Sequence, residues 1–286
     1  GEPLMATSNL LLVAGGGLIG FLLSVLGAGG SLLLLPLLVS GAALPSKEAV
    51  PLSLLAVTLL ALANLGPYLR RRQFAPVPAL VLGVPALAGS WIGGSWVKAG
   101  LVPEPVQLGV FAAAALLASW LLTRGSATSA RATAAAPKPH TLTLLLAGQG
   151  VLVGLLTGIA GVGGGFAIVP ALVLLAGLPM ALASGTSLLL IAVNALVALA
   201  ALGHWPAHHL PLLLPLLLGG AIGGAVGQRL APHLPDHRLR QGFAALLIGS
   251  ALLTGAEATH RQAQSQRSNA LSPPERTQPP PSAHLR

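Results

Sequence analysis

Residues 18–45 read LIGFLLSVLGAGGSLLLLPLLVSGAALP, and residues 152–179 read LVGLLTGIAGVGGGFAIVPALVLLAGLP. Laid over one another at a shift of 134 without a gap, they agree at 12 of 28 positions, among them Gly20, Gly27, Gly29, Gly30, Pro36 and Pro45. This composition would give about three agreements by chance. A weaker match occurs at a shift of 130, where Pro85, Gly89, Ile92, Gly93 and Gly94 meet Pro215, Gly219, Ile222, Gly223 and Gly224. The chain is a duplication, and each half carries one glycine-rich apolar block.

The blocks sit in a chain of 286 residues that is 54% hydrophobic and 7% charged. Soluble domains carry about 25% charge, so too few charges remain here to build a water-facing surface. The same apolar content excludes disorder for most of the chain. Apolar stretches run over 9–40, 50–68, 77–97, 105–122, 142–176, 183–202, 211–228 and 239–255. Six suit a single crossing of a bilayer, which takes about 20 residues. The stretches 9–40 and 142–176 are too long for one crossing and hold glycines in the middle, which predicts broken helices. The fold class is an all-α polytopic membrane protein with two homologous four-segment halves. The first repeat spans 9–122 and the second 142–255. Between them, 123–141 reads as a polar linker, and 256–286 reads as a disordered tail. Met5 reads as the native start, and the first apolar stretch lacks the basic flank of a cleaved signal.

The net charge of +9 would suggest nucleic acid in a soluble protein. Here no Asp, Glu, Lys or Arg lies between Glu2 and Lys47, or between Lys138 and Arg229. Charges confined to the ends of apolar stretches set topology instead. If 9–40 and 142–176 dip in and return, one face collects Arg70, Arg71, Arg72, Arg124, Arg131, Lys138, Arg229, Arg238 and Arg240, and the other only Lys47 and Lys98. If every stretch crosses, the bias vanishes. The re-entrant arrangement makes the halves inverted repeats, with the linker on the cytoplasmic side. Duplicated halves around a central site are a transporter arrangement.

The candidate site starts with Gly27, Gly29, Gly30 and Ser31 in one half and Gly161, Gly163, Gly164 and Gly165 in the other. Glycine lets the backbone leave the helix, and in hydrocarbon such a break survives only inside protein or beside water. The half-helices after each break would offer N–H donors and a positive dipole end to an anion. Ser53, Thr186 and Ser187 open later apolar stretches, either as helix caps or as neutral donors to an oxyanion. Asn194 and Asn64 lie inside apolar stretches, bonding between helices or lining a pathway. Glycines at four-residue spacing (Gly16 and Gly20, Gly89 and Gly93, Gly219 and Gly223) suit close helix packing. His204, His208 and His209 flank Trp205 and Pro206, which suits a membrane interface better than a metal site. Cysteine is absent, Asp236 is the one Asp, and no acid–base set lies in the apolar stretches. The residues therefore support no enzyme, metal or cofactor. They leave nucleic acid aside, and homo-oligomerisation open.

The blocks Leu18 to Pro36 and Gly154 to Pro170, continued by Ala183-Ser184-Gly185-Thr186-Ser187-Leu188 and Asn194, resemble the TauE/SafE family of sulfite exporters. The resemblance covers about residues 10–255. It implies a multi-pass protein of the bacterial inner membrane that moves sulfite or a related sulfur-containing anion, such as an organosulfonate, usually outward. The alternatives are a passive anion channel and a membrane assembly factor without a solute. The first block departs from the second, with Ser31 for Gly165 and Pro51-Leu52 for Gly185-Thr186, so the expected site is asymmetric.

Overall fold

The computed structural model describes residues 2–42, 44, 46–124, 139–160, 167–202 and 205–271, and every regular element among them is helical. The first half holds α1 (Glu2–Leu26), the three-residue α2 (Leu34–Pro36), α3 (Ser46–Arg70), α4 (Pro76–Lys98) and α5 (Glu104–Arg124). The second holds α6 (Pro139–Ala160), α7 (Ile168–Leu174), α8 (Met180–Leu202), α9 (Leu210–Leu230) and α10 (Asp236–Leu271). Among the described residues five segments are long and apolar enough to cross a membrane: Asn9–Leu26, Glu48–Arg70, Pro76–Trp96, Met180–Val197 and Ala207–His233. Shorter apolar stretches, Ala112–Arg124 and Thr143–Leu156, lie in α5 and α6.

The break expected in 9–40 falls at Gly27, which takes φ +69, a left-handed conformation that any other residue would adopt only with strain. Beyond Gly27 the chain departs from the expectation. No straight half-helix starts near Ser31. A 3₁₀ turn runs over Gly27–Leu33, then α2, then a π-type turn over Leu37–Gly41. Three glycines weaken an α-helix, and Pro36 withholds an N–H from it. The corresponding break, 161–166, lies outside the described residues. A second difference concerns the tail. The disorder expected from residue 256 gives way to helix as far as Leu271. Residues 257–271 hold Ala, Glu, Gln and Arg, all good helix formers, and no Gly or Pro.

The halves interlock. Helix α1 lies along α9 and α4 along α6, while α3 packs on α8 and α5 on α10. Glycines make the first two contacts close. A Cβ at Gly16 or Gly20 would run into the main chain of Leu216 or Gly220, and one at Gly219 or Gly223 into that of Val13 or Gly17. Across the molecule, Gly150, Gly154 and Gly89 stand in the same way against Leu82, Ala86 and Val151. Without side chains at these positions backbones approach within van der Waals range, which is how helices associate where no hydrophobic effect drives them.

The pairs differ in register. Mapped through the shifts of 134 and 130, the Gly20–Gly220 contact predicts Gly154 against Ser90, yet Gly154 meets Ala86, four residues earlier. Gly16–Leu216 predicts Gly150 against Ala86, yet Gly150 meets Leu82. Both contacts are displaced by one helical turn, about 6 Å.

Contacts at the helix ends give directions. Glu48 of α3 pairs with His209, just before α9. At their other ends Asn64 accepts from Gln228, so α3 and α9 run the same way. The end of α3 meets the start of α8 instead, where Tyr68 and Gln73 pack around Gly185.

Candidate functional site

The site grows out of how three helices end. Helix α3 closes with Arg72 at φ 55. The Gln73 N–H donates to the Tyr68 carbonyl (2.9 Å) and the Arg72 N–H to the Leu69 carbonyl (3.1 Å), which satisfies two carbonyls the helix leaves over. This cap aims the chain across α8. The Ala75 N–H donates to Thr186 Oγ1 at 3.0 Å. Helix α8 is itself capped by Asp236, whose Oδ1 accepts from the Met180 N–H at 2.6 Å while Oδ2 accepts from Arg240 Nε at 2.7 Å. An anionic cap suits the positive end of a helix.

The first two turns of α8 then face the break in α1. A Cβ on Gly27 would lie 2.5 Å from Ser187 Oγ and 2.7 Å from the Ser184 carbonyl oxygen, so only glycine fits. Ser184, Thr186 and Ser187 are fully buried. Ser187 donates to the Ser184 carbonyl at 2.7 Å, whereas Ser184 Oγ is buried with no partner. Beside them Tyr68 donates to the Ser24 carbonyl at 2.5 Å, on the last turn before Gly27. One uncapped carbonyl at that helix end is thereby satisfied by a side chain from α3.

The sequence candidates divide accordingly. Gly27 and Ser187 are in contact. Thr186 is next to them but turned toward Ala75. Gly29 and Ser31 lie in the 3₁₀ turn, and Gly30 folds it back on α1, where a Cβ would lie 2.6 Å from the Leu23 nitrogen. Ser53 donates to the Val50 carbonyl of its own helix at 2.8 Å. It is 15 residues from Tyr68, about 22 Å along α3, so it is not a member of this group. Gly161, Gly163, Gly164 and Gly165 lie outside the described residues. Asn194, two turns beyond Ser187, lines a separate cleft with Gly83, Ala86, Leu87, Ser90 and Val153.

Sequence reasoning missed Tyr68 and Gln228, read Arg71 only as a topology charge, and held Ser184 in its candidate motif without giving it a role. Tyr68 is the one tyrosine of the chain. Arg71 carried no separable signal within the Arg70–Arg72 run. His209, expected at an interface, pairs with Glu48.

The sulfite exporter TauE/SafE family model matches residues 12–254. A probable membrane transporter protein of Xylella fastidiosa strain Temecula1 is 33% identical over 187 residues, covering 64% of this chain and 69% of the relative. One from strain 9a5c is 32% identical over 195 residues, covering 66% and 72%. No solved structure matches. With a family match across nearly all of the apolar chain and two transporter relatives, this multi-pass membrane protein belongs to the sulfite exporter TauE/SafE family of membrane transporters.

Proposed function

We propose that the chain carries sulfite or a related small sulfur-containing anion, such as an organosulfonate, outward across the membrane by alternating access. The observation that carries this reading is the junction of Gly27 with Ser184 and Ser187. A helix break and two buried hydroxyls, one unpartnered, meet in an apolar stretch without charge. Neutral donors in a water-poor interior can hold an oxyanion and still release it, because no full charge has to be separated.

The halves, 9–122 and 142–255, are inverted repeats in this proposal. Supporting it, α3 runs with α9 yet meets α8, its own repeat counterpart, end to start. By the shift of 134, Ser53 is the counterpart of Ser187, and Gly161, Gly163, Gly164 and Gly165 are the counterparts of Gly27, Gly29, Gly30 and Ser31. Ser53 then serves the second glycine block as Ser187 serves the first. The one-turn offset between α1–α9 and α4–α6 favours alternation: each pair holds the contact the other would take in the opposite state.

Uptake of labelled sulfite into proteoliposomes tests the reading. Replacing both Ser184 and Ser187 by Ala should lower the rate about tenfold or more with the fold retained. Equal rates would sink it. A conductance that does not saturate would replace the transporter by a channel.

A further inference from the structure

We infer that Arg71 and Gln228 form an oxyanion-docking site at the arginine-rich end of the molecule, next to the Gly27 break. The inference rests on the anion-transport reading and narrows its substrate. Arg71 is half-buried at the end of α3, with its guanidinium carbon 5.8 Å from the Tyr68 ring centroid. Its Nη2 donates to the Gln228 carbonyl at 2.6 Å, and its Nη1 is buried with no partner. Gln228, 9% exposed, donates through Nε2 to the Asn64 carbonyl (3.1 Å) and Oδ1 (3.3 Å), while its Oε1 is buried and unpartnered. Among the described residues no carboxylate pairs with Arg71, since Asp236 is held by Arg240 and Glu48 by His209.

One residue pair thus holds a buried cationic donor and a buried acceptor, both unsatisfied. Native proteins rarely leave such atoms bare, and a charged one is the costliest. Two features define the ligand. With Arg70, Arg72 and Arg229 exposed, the one guanidinium that turns inward balances one negative charge, which favours a monoanion over a dianion. Gln228 Oε1 is repelled by a bare anionic oxygen but accepts from a hydroxyl. The two together fit a small oxyanion that keeps one proton, of the hydrogen sulfite class, better than a sulfonate without a hydroxyl. The docked ion would stand beside Tyr68, whose hydroxyl reaches the Ser24 carbonyl just ahead of Gly27, so this site adjoins the Ser184–Ser187 group.

The test is calorimetric binding of sulfite and of methanesulfonate, both near pH 6, to the purified full chain. The unmodified protein should bind sulfite more tightly. Arg71→Gln should weaken both ligands about tenfold or more, as loss of a charge-assisted bond does. Gln228→Leu should weaken sulfite and leave methanesulfonate within about twofold. Unchanged affinity in Arg71→Gln overturns the inference. If that variant does not fold, Gln228→Leu decides: undiminished preference for sulfite overturns it. The transport reading fails separately, when the unmodified protein binds neither anion. It survives the loss of this site if Arg71→Gln binds normally while the Ser184 and Ser187 double variant does not.

Discussion

The α1–α9 and α4–α6 pairs are built from corresponding residues by the same means, glycine on main chain, yet they settle one turn apart. In the first pair Gly20 stands on Gly220. In the second Gly154 stands on Ala86, one turn short of Ser90, and the small cleft lined by Ser90 and Asn194 stays open. The lesson is that a stripe of small residues at four-residue spacing specifies closeness but not register. A slide of one turn brings glycine against backbone again.

The largest effect should come from removing closeness. A Cβ on Gly20 would lie 2.7 Å from both the carbonyl carbon and the Cα of Gly220, so a side chain there must push the backbones of α1 and α9 apart. Gly20→Leu should lose about 3 kcal/mol or more and leave little folded protein by thermal melting in detergent. Gly154→Leu should match it, since Ala86 main-chain atoms lie at 2.6 and 2.8 Å. A well-folded Gly20→Leu would mean that the contact is looser than these distances require.

Next in size are two hydroxyls of α8, two residues apart in sequence, that do different things. Thr186 accepts from the Ala75 N–H, and Ser184 Oγ accepts or donates nothing. Thr186→Val should strand a buried N–H and cost about 1–3 kcal/mol. Ser184→Ala should leave the melting temperature unchanged or slightly raised while slowing anion uptake. Should Ser184→Ala destabilise as much as Thr186→Val, the Ser184 hydroxyl has a structural partner and the site loses its free donor.

The register itself can be measured, because the chain has no cysteine. Spin labels at Leu18 and Leu214, and in a second protein at Leu152 and Val84, occupy corresponding and exposed positions. The two separations should differ, reflecting an axial offset of about 6 Å. Under alternating access, a sulfite gradient should add to each distribution the distance seen in the other. Identical, single distances in both proteins would abolish the offset and the support it lends to alternation.

Much of this was legible in the sequence. The repeat, the all-helical class, the break at Gly27 and the glycine packing stripes follow from composition and spacing. The offset was not, since spacing of four is indifferent to it. Nor was Arg71, because a run of three arginines at a membrane edge reads as topology. Only the left-handed cap at Arg72 and the approach of α9 separate the one that turns inward. The helix beyond residue 256 escaped because polarity, which argued for a tail, does not oppose helix when Gly and Pro are missing.

The smallest effect is the most direct reading of the asymmetry. Gly224 and Gly94 are counterparts by the shift of 130. With like neighbours alanine would act on both alike, but Asn64 of α3, which faces Gly224, corresponds by the shift of 134 to Ala198. A Cβ on Gly224 would lie 3.0 Å from Asn64 Oδ1 and 3.3 Å from Nδ2, and one on Gly94 would meet nothing within 4 Å. Asn64 cannot easily give way, since its Nδ2 donates to the Leu60 carbonyl at 2.8 Å and its Oδ1 accepts from Gln228. Gly94→Ala should therefore gain helix propensity, up to about 1 kcal/mol, and melt at or above the parent temperature. Gly224→Ala gains the same propensity but must push aside a bonded amide, so it should melt lower, by about 1 kcal/mol of net stability. Shifts of equal size and sign would mean that Asn64 gives way to a methyl group at Gly224 without cost.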